Sequence, residues 1–364
     1  MNSYKLLTPG PLTTTETVKQ VMLKDRCTWD DDYKTVTQTI RKQLLELAQV
    51  KETDYTTVLM QGSGSFVVES VLTTAIGDED KVLIITNGAY GERIVDMAKV
   101  LKLQHTVYSV PYHEQPSPLK VKTLLENDST ITHVAVVHCE TTTGILNPIS
   151  EIGDVVKGLN KTFIVDAMSS FGGVPMDVSV MGIDYLISSA NKCIQGVPGF
   201  GFVIAKIEDL EKCKGQARSV ALDLYNQWEV MEVDGKWRFT SPTHVVAAFA
   251  KAIEELVEEG GVRARHERYA TNNRILRARL QELGFNAYIS EDLQSPIITT
   301  FLFPYEGFSF EHFYHAMKEA GFVIYPGKLT DMDTFRIGNI GDIHEDDMNT
   351  LCKVIENYMA VMKK

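Results

Sequence analysis

Short apolar runs rich in β-branched residues alternate with segments of helical periodicity between about residues 56 and 205. In order, the apolar runs read TTVLMQ, KVLIIT, HTVYSV, THVAVVH, TFIVDAM, DYLISSA and GFVIA. Most are continuously apolar, which is typical of strands buried on both faces of a sheet. The pattern therefore predicts an α/β fold with a mostly parallel central sheet flanked by helices, and functional side chains at the carboxyl ends of its strands.

The pattern changes after a predicted helix, VVAAFAKAIEELVEE, which spans residues 245–259 and stops at Gly260 and Gly261. A second long helical stretch follows, and beyond it short strands and helices share the rest of the chain. A chain of 364 residues is long enough for two domains. We predict a large domain over residues 21–261, a smaller α+β domain over residues 262–364, and an N-terminal segment, residues 1–20, that joins the smaller domain.

The charge balance argues against a broad surface for nucleic acids or anionic membranes, because 48 acidic residues outweigh 36 basic ones and give a net charge of −12. The N-terminal stretch MNSYKLLTPGPLTT has no targeting pattern, and no apolar run reaches the ~20 residues of a membrane span. Five scattered cysteines without a C-x-x-C pair fit reduced thiols. We therefore expect a cytoplasmic protein.

Two charged residues stand at the ends of predicted buried strands. Asp166 closes the run KTFIVDA, where a carboxylate is costly unless it pairs with a cation or a protonated donor; a cap for the following turn is its alternative role. Lys192 follows DYLISSA within SSANKCIQGVPGF. A lysine there either extends into solvent or, when partly desolvated, acts as a nucleophile that forms a Schiff base with an aldehyde.

Two further motifs bring binding groups to strand ends. QGSGS, residues 61–65, lies between a strand and a helix, where backbone N–H groups and the helix N-terminus favour a phosphate dianion. Tyr90 follows KVLIIT and either packs in the core or stacks on a planar ring. Each signal is weak alone. A phosphate cradle, a stacking aromatic residue, a carboxylate and an aldehyde-reactive amine together match the requirements of pyridoxal 5′-phosphate (PLP).

Seven motifs extend this combination over essentially the whole chain: GSGS, NGAYG, ETTTG, VDAMSS, SANK, FTSPTH and FRIGN. In this order they resemble the class V aminotransferases of fold type I. The resemblance implies a PLP-dependent enzyme with a large cofactor-binding domain and a smaller C-terminal domain. It also implies a homodimer, because in that family a residue of the partner subunit reaches the cofactor phosphate.

The resemblance implies a role for each matching position. Lys192 matches the lysine that holds the cofactor covalently, and Asp166 matches the carboxylate paired with the pyridine nitrogen. The other matches are Tyr90 over the ring, Ser63, Gly64 and Ser65 in the phosphate loop, Thr141 near the phenolic oxygen, Thr240 as the residue that crosses to the partner, and Arg336 for the substrate's acidic group. Because two more threonines follow Thr141, that match is open by one position.

Five stretches, LTPGPL, CTWDDDY, SSANKCIQGVPGF, GKWRFTSPTH and VIYPGK, resemble the branch of the family that moves the amino group of 2-aminoethylphosphonate to pyruvate. That branch releases phosphonoacetaldehyde and L-alanine in phosphonate catabolism. Arg336 suits such a donor, since a guanidinium is a fixed, charged fork for phosphonate or carboxylate oxygens. A structural ion pair is the alternative role of Arg336. The resemblance therefore implies a transaminase with 2-aminoethylphosphonate and pyruvate as its substrates.

Three other functions stay open on the same scaffold. The nearest is an aminotransferase of the alanine–glyoxylate or serine–pyruvate type, because resemblance alone assigns the phosphonate donor. A lyase or desulfurase is weaker, since it needs a mobile cysteine in the substrate site and the segment YPGKLTDMDTFRIGN contains none. A non-catalytic relative would be expected to have lost Lys192 or Asp166, and both are present.

Three further features receive less weight. Asp30–Asp32 fit a solvated loop, although the resemblance puts them near the entrance of the active site as a substrate loop. Lys328 is either a surface lysine or a second cation for the phosphonate. His133 and His138, five residues apart, should face opposite sides of one strand, so no metal site is predicted there.

Overall fold

The computed structural model describes residues 4–329 and 332–362. Its strands are, in chain order, β1 (Lys5–Leu6), β2 (Tyr55–Gln61), β3 (Lys81–Thr86), β4 (Gln104–Ser109), β5 (Ile131–Val137), β6 (Cys139–Glu140), β7 (Ile145–Leu146), β8 (Thr162–Asp166), β9 (Tyr185–Ser189), β10 (Phe200–Lys206), β11 (Ile298–Leu302), β12 (Phe322–Val323), β13 (Tyr325–Pro326) and β14 (Thr334–Gly338).

Its α-helices are α1 (Glu16–Gln20), α2 (Asp31–Leu47), α3 (Gly64–Ala75), α4 (Ala89–Val100), α5 (Pro118–Asn127), α6 (Ile149–Gly158), α7 (Ile207–Glu211), α8 (Leu224–Asp234), α9 (Thr243–Glu258), α10 (Gly261–Glu282), α11 (Phe310–Glu319) and α12 (Glu345–Met362). Short 3₁₀ helices cover Val21–Leu23 and Glu291–Leu293.

Seven of the described strands form the central sheet, in the order β2, β10, β9, β8, β5, β3, β4. Neighbouring strands from β9 to β4 are parallel, and β10 runs antiparallel to both of its neighbours. The inner strands are buried along nearly their whole length, because helices on both faces form a core cluster with each face. The predicted α/β fold with a mostly parallel sheet is confirmed.

The carboxyl ends of the parallel strands meet at one edge of this sheet. β8 ends at Asp166. Its neighbour β9 ends at Ser189, three residues before Lys192. β2 ends at Gln61, shortly before α3, and β3 ends at Thr86, shortly before α4. Parallel strand direction therefore gathers the predicted phosphate loop, the carboxylate and the lysine at this edge.

The C-terminal part of the chain has a core of its own. β11, β14 and β13 form an antiparallel sheet, α10 packs on β11, and α12 packs on α10 and α11. Their apolar side chains form a third core cluster together with Leu7. β1 pairs with β12, which ties Lys5–Leu6 to this part, whereas α1 packs on α9. The domain boundaries given above stay a prediction.

Asp30–Asp32 begin a helix. Asp30 is the N-cap residue of α2, and Asp31 and Asp32 occupy its first turn. Negative side chains are favourable at this position, because they face the positive end of the helix dipole. All three side chains are exposed. The expectation of a loop at these positions is therefore wrong, although the expectation of solvated carboxylates is confirmed.

Two further findings concern the described residues as a whole. Within residues 4–329 and 332–362, no helix is both long and apolar enough to cross a membrane. The same residues contain no cluster of histidine, cysteine and carboxylate side chains that could hold a metal ion. His133 and His138 are each buried, and a hydrogen bond of 3.0 Å links His138 to Ser170.

Candidate active site

A cavity of about 600 Å³ opens at the carboxyl edge of the central sheet. This volume suits a cofactor together with a small substrate. Six of the residues singled out in the sequence line it: Ser63, Gly64, Ser65, Tyr90, Asp166 and Lys192. The N-terminal segment contributes Pro11 to the same wall. The fold therefore brings together the phosphate loop, the aromatic residue, the carboxylate and the lysine.

Lys192 lies in the connection between β9 and β10 and is partly buried. Its Nζ atom donates a hydrogen bond of 2.6 Å to the carbonyl oxygen of Pro9. Gly10 lies so close that a Cβ atom there would be 2.8 Å from this Nζ. Burial lowers the pKa of Lys192, although Tyr90 and Asp166 act in the opposite direction. A lower pKa enlarges the fraction of neutral amine, which is the nucleophilic form.

Asp166 is the last residue of β8 and is only 7% exposed. Its Oδ1 atom accepts a hydrogen bond of 2.9 Å from the backbone N–H of Met168. Burial raises the pKa of Asp166 to about 6, with Glu140 adding to the effect and Lys192 opposing it. In the described ranges no cation forms an ion pair with it. A buried carboxylate of this kind is stabilised by a protonated ring nitrogen in the cavity.

The phosphate loop coincides with the N-terminus of α3. Ser63 is the N-cap residue, but its hydroxyl makes no capping hydrogen bond and stays available to a ligand. A Cβ atom on Gly64 would lie 2.4 Å from the Met168 sulfur, so only glycine fits without a shift of that side chain. Arg93 donates a hydrogen bond of 3.1 Å to the Ser65 hydroxyl. The helix dipole, two hydroxyls and a guanidinium together suit a phosphate dianion.

Arg336 and Thr141 join the site through Tyr90, and neither of them lines the cavity itself. Tyr90 is the second residue of α4, and both Thr141 and Arg336 act to lower the pKa of its phenol. Arg336 lies within β14 and is 3% exposed. Its Nη1 atom donates to the Thr141 carbonyl and its Nε atom to the Pro326 carbonyl, each at 3.0 Å. The two carbonyl acceptors hold the buried guanidinium of Arg336 near the phenol of Tyr90.

The structure does not bring Thr240 to the other residues. Thr240 is exposed, follows the half-exposed Phe239, and does not line the cavity of its own chain. Its role toward a partner subunit stays a prediction.

Sequence reasoning missed two residues of the site. Arg93 lines the cavity beside Ser65, and Glu140 holds the start of α4 through the backbone N–H groups of Tyr90 and Gly91. Arg93 follows Tyr90 by three residues, so helical periodicity alone could have placed both on one face of α4. Glu140 stands in the quoted ETTTG motif, but nothing in the sequence indicates which backbone its carboxylate contacts.

Comparison with known proteins identifies the family. The family model "Aminotransferase class-V" matches residues 27–339. The chain belongs to the class-V aminotransferases. Membership confirms the family resemblance stated above, and it establishes that the chain is an aminotransferase.

Individual relatives of this class-V chain are similar over almost their whole length. A protein of Lysinibacillus sphaericus named 2-aminoethylphosphonate–pyruvate transaminase is 80% identical over 361 residues, covering 99% of both chains. A Bacillus cereus protein of the same name is 58% identical over 355 residues, covering 97% of both chains. The crystal structure of an alanine–glyoxylate aminotransferase from Nostoc superposes with a TM-score of 0.91 at 24% identity, covering 98% of this chain and 95% of that one. The expected fold-type-I architecture is therefore confirmed.

Membership of the class-V family implies PLP as the cofactor. The described residues fit it at three points: Lys192 as an amine of lowered pKa, Asp166 as a buried carboxylate without an ion pair, and the N-terminus of α3 as an anion site. All three border one cavity. Their chemistry matches the aldehyde, the ring nitrogen and the phosphate of that cofactor.

Proposed function

We propose that the chain transfers the amino group of 2-aminoethylphosphonate to pyruvate, giving phosphonoacetaldehyde and L-alanine. The observation that carries this proposal is the buried guanidinium of Arg336, which contacts Tyr90 at the wall of the cavity that holds Lys192 and Asp166. A buried cation without a carboxylate partner is costly, so it is best explained by an anionic substrate. The names of the 80% and 58% identical relatives support the same donor and acceptor.

Several residues of the cavity have a proposed role in holding the cofactor. We assign its phosphate to Ser63, Gly64 and Ser65 with Arg93, its ring to Tyr90, and its pyridine nitrogen to Asp166. Thr141, which acts to lower the pKa of the Tyr90 phenol, would lie near the cofactor's phenolic oxygen. When bound, PLP supplies an electron-accepting ring that stabilises negative charge at the carbon bearing the transferred nitrogen.

Lys192 is the proton carrier in this proposal. With PLP bound, the free Nζ amine of Lys192 would remove a proton from the donor carbon that bears nitrogen. The same amine would then give up this proton, so Lys192 would act first as general base and then as general acid. The lowered pKa of Lys192 favours the neutral amine needed for the first step. The Pro9 carbonyl gives the released Nζ a hydrogen-bond acceptor.

Asp166 acts on the cofactor ring, whereas Arg336 acts on the donor substrate. Asp166 keeps a proton on the ring nitrogen, which makes the ring a better electron acceptor. Arg336 binds the acidic group of the donor and orients its amino-bearing carbon, since a guanidinium offers donors in a fixed plane. The keto acid enters after the first product leaves, so the kinetics should be ping-pong.

Sulfur chemistry on this scaffold is disfavoured by the one cysteine in the cavity wall, Cys139. Burial raises the pKa of its thiol to about 12, with Glu140 adding to the effect. The thiol therefore stays protonated near neutral pH, whereas a desulfurase needs a reactive thiolate. Cys193 is buried as well, and burial raises the pKa of its thiol to about 12. The desulfurase alternative has no support from either residue.

We also propose that the chain forms a homodimer in which Thr240 reaches the partner's cofactor phosphate. Three large apolar side chains, Trp29, Phe66 and Phe239, are 70%, 54% and 51% exposed. Lys236 lies 4.7 Å from the centroid of the Trp29 ring, so Trp29 lies near the segment that carries Phe239 and Thr240. Exposed apolar groups of this size favour a covered surface. Light scattering after size-exclusion chromatography measures the mass, and a monomer would refute the proposal.

A cytoplasmic location belongs to the same proposal. All five cysteines are free; Cys27 is exposed and the other four are buried. Free thiols persist in a reducing compartment, so their state supports the cytoplasm.

An absorbance titration tests the function. The protein is loaded with PLP, freed of excess cofactor and titrated without pyruvate, using 2-aminoethylphosphonate in one cell and L-alanine or L-serine in others. We expect the visible band to disappear at low concentrations of the phosphonate, and pyruvate to restore it. Lys192→Ala should give no such band and no repeated turnover.

The alternatives predict different spectra. A band that responds only to alanine or serine would support an alanine–glyoxylate or serine–pyruvate type enzyme and remove the phosphonate donor. A protein that forms no visible band even with excess PLP would refute the role of Lys192. Multiple turnovers by the Lys192→Ala protein would refute the proton-transfer mechanism.

A further inference from the structure

Lys328 belongs to the C-terminal part of the chain, yet it lies beside the cavity. It follows β13 by two residues and is partly buried. Its Nζ atom lies 4.1 Å from the centroid of the ring of Tyr90, which lines the cavity. The face of a tyrosine ring attracts a cation less strongly than an anion does. The flexible four-carbon stem therefore lets the Lys328 amine turn toward an anionic ligand when one is present.

Lys328 and Arg336 approach Tyr90 from the same small sheet. β13 and β14 are paired with Tyr325 opposite Arg336, and Lys328 leaves the sheet three residues beyond Tyr325. Arg336 interacts electrostatically with the phenol of Tyr90. A cation just beyond β13 and a cation within β14 therefore converge on one side chain of α4.

Among the described residues, no acidic side chain neutralises either cation. Within residues 4–329 and 332–362, Lys328 and Arg336 form no ion pair with a carboxylate. Glu140 acts electrostatically on Arg336, but its carboxylate already accepts hydrogen bonds from the N–H groups at the start of α4. A chain with a net charge of −12 thus carries a local excess of positive charge here. Such an excess fits a ligand with more than one negative charge.

The phenol of Tyr90 responds to this charge. Burial acts to raise its pKa, but Lys192, Lys328 and Thr141 outweigh burial, so the pKa of Tyr90 is lowered overall. The cofactor phosphate does not account for the excess, because the N-terminus of α3 and Arg93 form a separate anion site. The two cations near Tyr90 are therefore left for the substrate.

We propose that Lys328 and Arg336 jointly bind the phosphonate dianion of the donor, and that Lys328 makes the site prefer a dianion to a monoanion. The inference rests on the proposed function, since it concerns the donor of that reaction. A phosphonate carries about two negative charges and three acceptor oxygens when fully ionised, like a phosphate. A carboxylate or a sulfonate carries one charge, which Arg336 alone can match.

Binding of two unreactive anions tests this selectivity. Ethylphosphonate and ethanesulfonate share a tetrahedral head, and at about pH 8.5 the first is a dianion and the second a monoanion. Both are titrated by calorimetry into the PLP-loaded protein. We expect Lys328→Gln to weaken ethylphosphonate binding about tenfold and ethanesulfonate binding less than about twofold, because only the dianion uses the second charge.

Kinetics of the complete reaction give a second readout. Lys328 binds a group in which no bond is made or broken, so its contribution should be equal in the ground state and the transition state. Lys328→Gln should therefore raise the KM for 2-aminoethylphosphonate about tenfold and leave kcat within about twofold. Lys328→Arg keeps the charge and should restore most of the affinity.

Lys318→Gln is the matched control. Lys318 also lies near two tyrosine rings, 5.8 Å from the centroid of Tyr4 and 6.0 Å from that of Tyr314, and it does not line the cavity. Its replacement should leave both affinities unchanged. Thermal unfolding of all variants separates a loss of binding from a loss of folding.

The outcomes discriminate between the inference and the proposed function. If Lys328→Gln lowers the affinity for both anions equally, or lowers neither affinity, the role of Lys328 is overturned. A wild-type protein whose visible band does not respond to 2-aminoethylphosphonate refutes the proposed function. If the wild-type protein turns over 2-aminoethylphosphonate but Lys328→Gln weakens the binding of both anions equally, this inference is refuted and the proposed function stands.

Discussion

The backbone N–H of Tyr90 donates a hydrogen bond of 3.1 Å to the fully buried carboxylate of Glu140. The same carboxylate accepts hydrogen bonds from the N–H of Gly91 at 3.1 Å, and from the N–H and the hydroxyl of Thr142 at 3.2 and 2.6 Å. It lies at the N-terminus of α4, where the helix dipole favours a negative charge. A side chain outside the cavity wall thus fixes the aromatic residue within it.

We expect Glu140→Gln to lower the free energy of unfolding by about 1–3 kcal/mol and to weaken the retention of PLP. One of two accepting oxygens becomes an NH₂ group, which faces donors and leaves them unsatisfied. Chemical denaturation and an absorbance titration with PLP measure the two effects. Asp96→Asn, which alters an exposed pair with Lys99 on the same helix, should change stability by less than about 0.5 kcal/mol. Equal effects of the two substitutions would contradict this role of Glu140.

Gly10→Ala should disturb Lys192 directly. Gly10 has a φ of +116°, and an added Cβ atom would lie 2.8 Å from both Cδ and Nζ of Lys192. We expect the visible band that forms on adding PLP to appear about tenfold more slowly or to stay incomplete, because a misplaced amine reacts poorly. Stopped-flow absorbance measures the rate.

Gly215→Ala is the control for Gly10→Ala. Gly215 also has a positive φ, +79°, but no heavy atom lies within 4 Å of the position that an added Cβ atom would take. Both substitutions therefore carry a backbone cost of about 1–2 kcal/mol, and only Gly10→Ala adds a contact with the lysine. Slowed band formation in both proteins would assign the effect to general destabilisation.

The parts of the fold that follow from burial could be predicted from the sequence. β5 and β8 are buried on both faces, and continuous apolar runs such as theirs are typical of strands in that position. The strand ends then placed Asp166 and Lys192 at one edge of the sheet. Strand direction is different: nothing in GFVIA indicates that β10 runs antiparallel to its neighbours, because both directions bury the same side chains.

The parts of the site that depend on tertiary contacts could not be predicted from spacing. Lys328 and Tyr90 are far apart in the chain and meet only because the fold brings the segment after β13 to the start of α4. The same holds for the contact of Pro9 with Lys192. The helix start at Asp30–Asp32 could not be predicted for a local reason, because acidic residues are typical both of loops and of the first turn of a helix.

Asp166 should make the stability of the cofactor-free protein depend on pH. Its folded pKa is raised by burial to about 6, whereas an aspartate in an unfolded chain has a pKa of about 4. Between these values the folded state binds more protons, so the free energy of unfolding falls as pH rises from about 4 to above 6. The contribution is about 3 kcal/mol at most.

Asp166→Asn removes this titration. We therefore expect the variant to gain stability relative to the wild-type protein as pH rises from about 4 to about 7, when both are freed of PLP. Chemical denaturation at several pH values measures the difference. A stability difference that does not change with pH would show that the Asp166 carboxyl has an ordinary pKa.

Lys157→Met should destabilise the fold without disturbing the active site. The Lys157 Nζ atom lies 2.7 and 2.9 Å from the carboxylate oxygens of Asp184, which is 2% exposed and whose pKa is raised by burial. Asp184 directly precedes β9, at the opposite edge of the sheet from Lys192. Loss of the lysine leaves a buried carboxylate with only the Phe163 N–H as its partner among these contacts.

The expected loss is about 2 kcal/mol of unfolding free energy, less than for a fully buried pair because the Lys157 side chain is 37% exposed. Lys42→Met, which removes an exposed pair with Glu52, should cost less than about 0.5 kcal/mol. Adding Asp184→Asn to Lys157→Met should recover part of the loss, since the unpaired charge is then gone. The visible band of the PLP-loaded protein should be the same in all these variants. A changed band in Lys157→Met, or a loss equal to that of Lys42→Met, would contradict the separation of this ion pair from the active site.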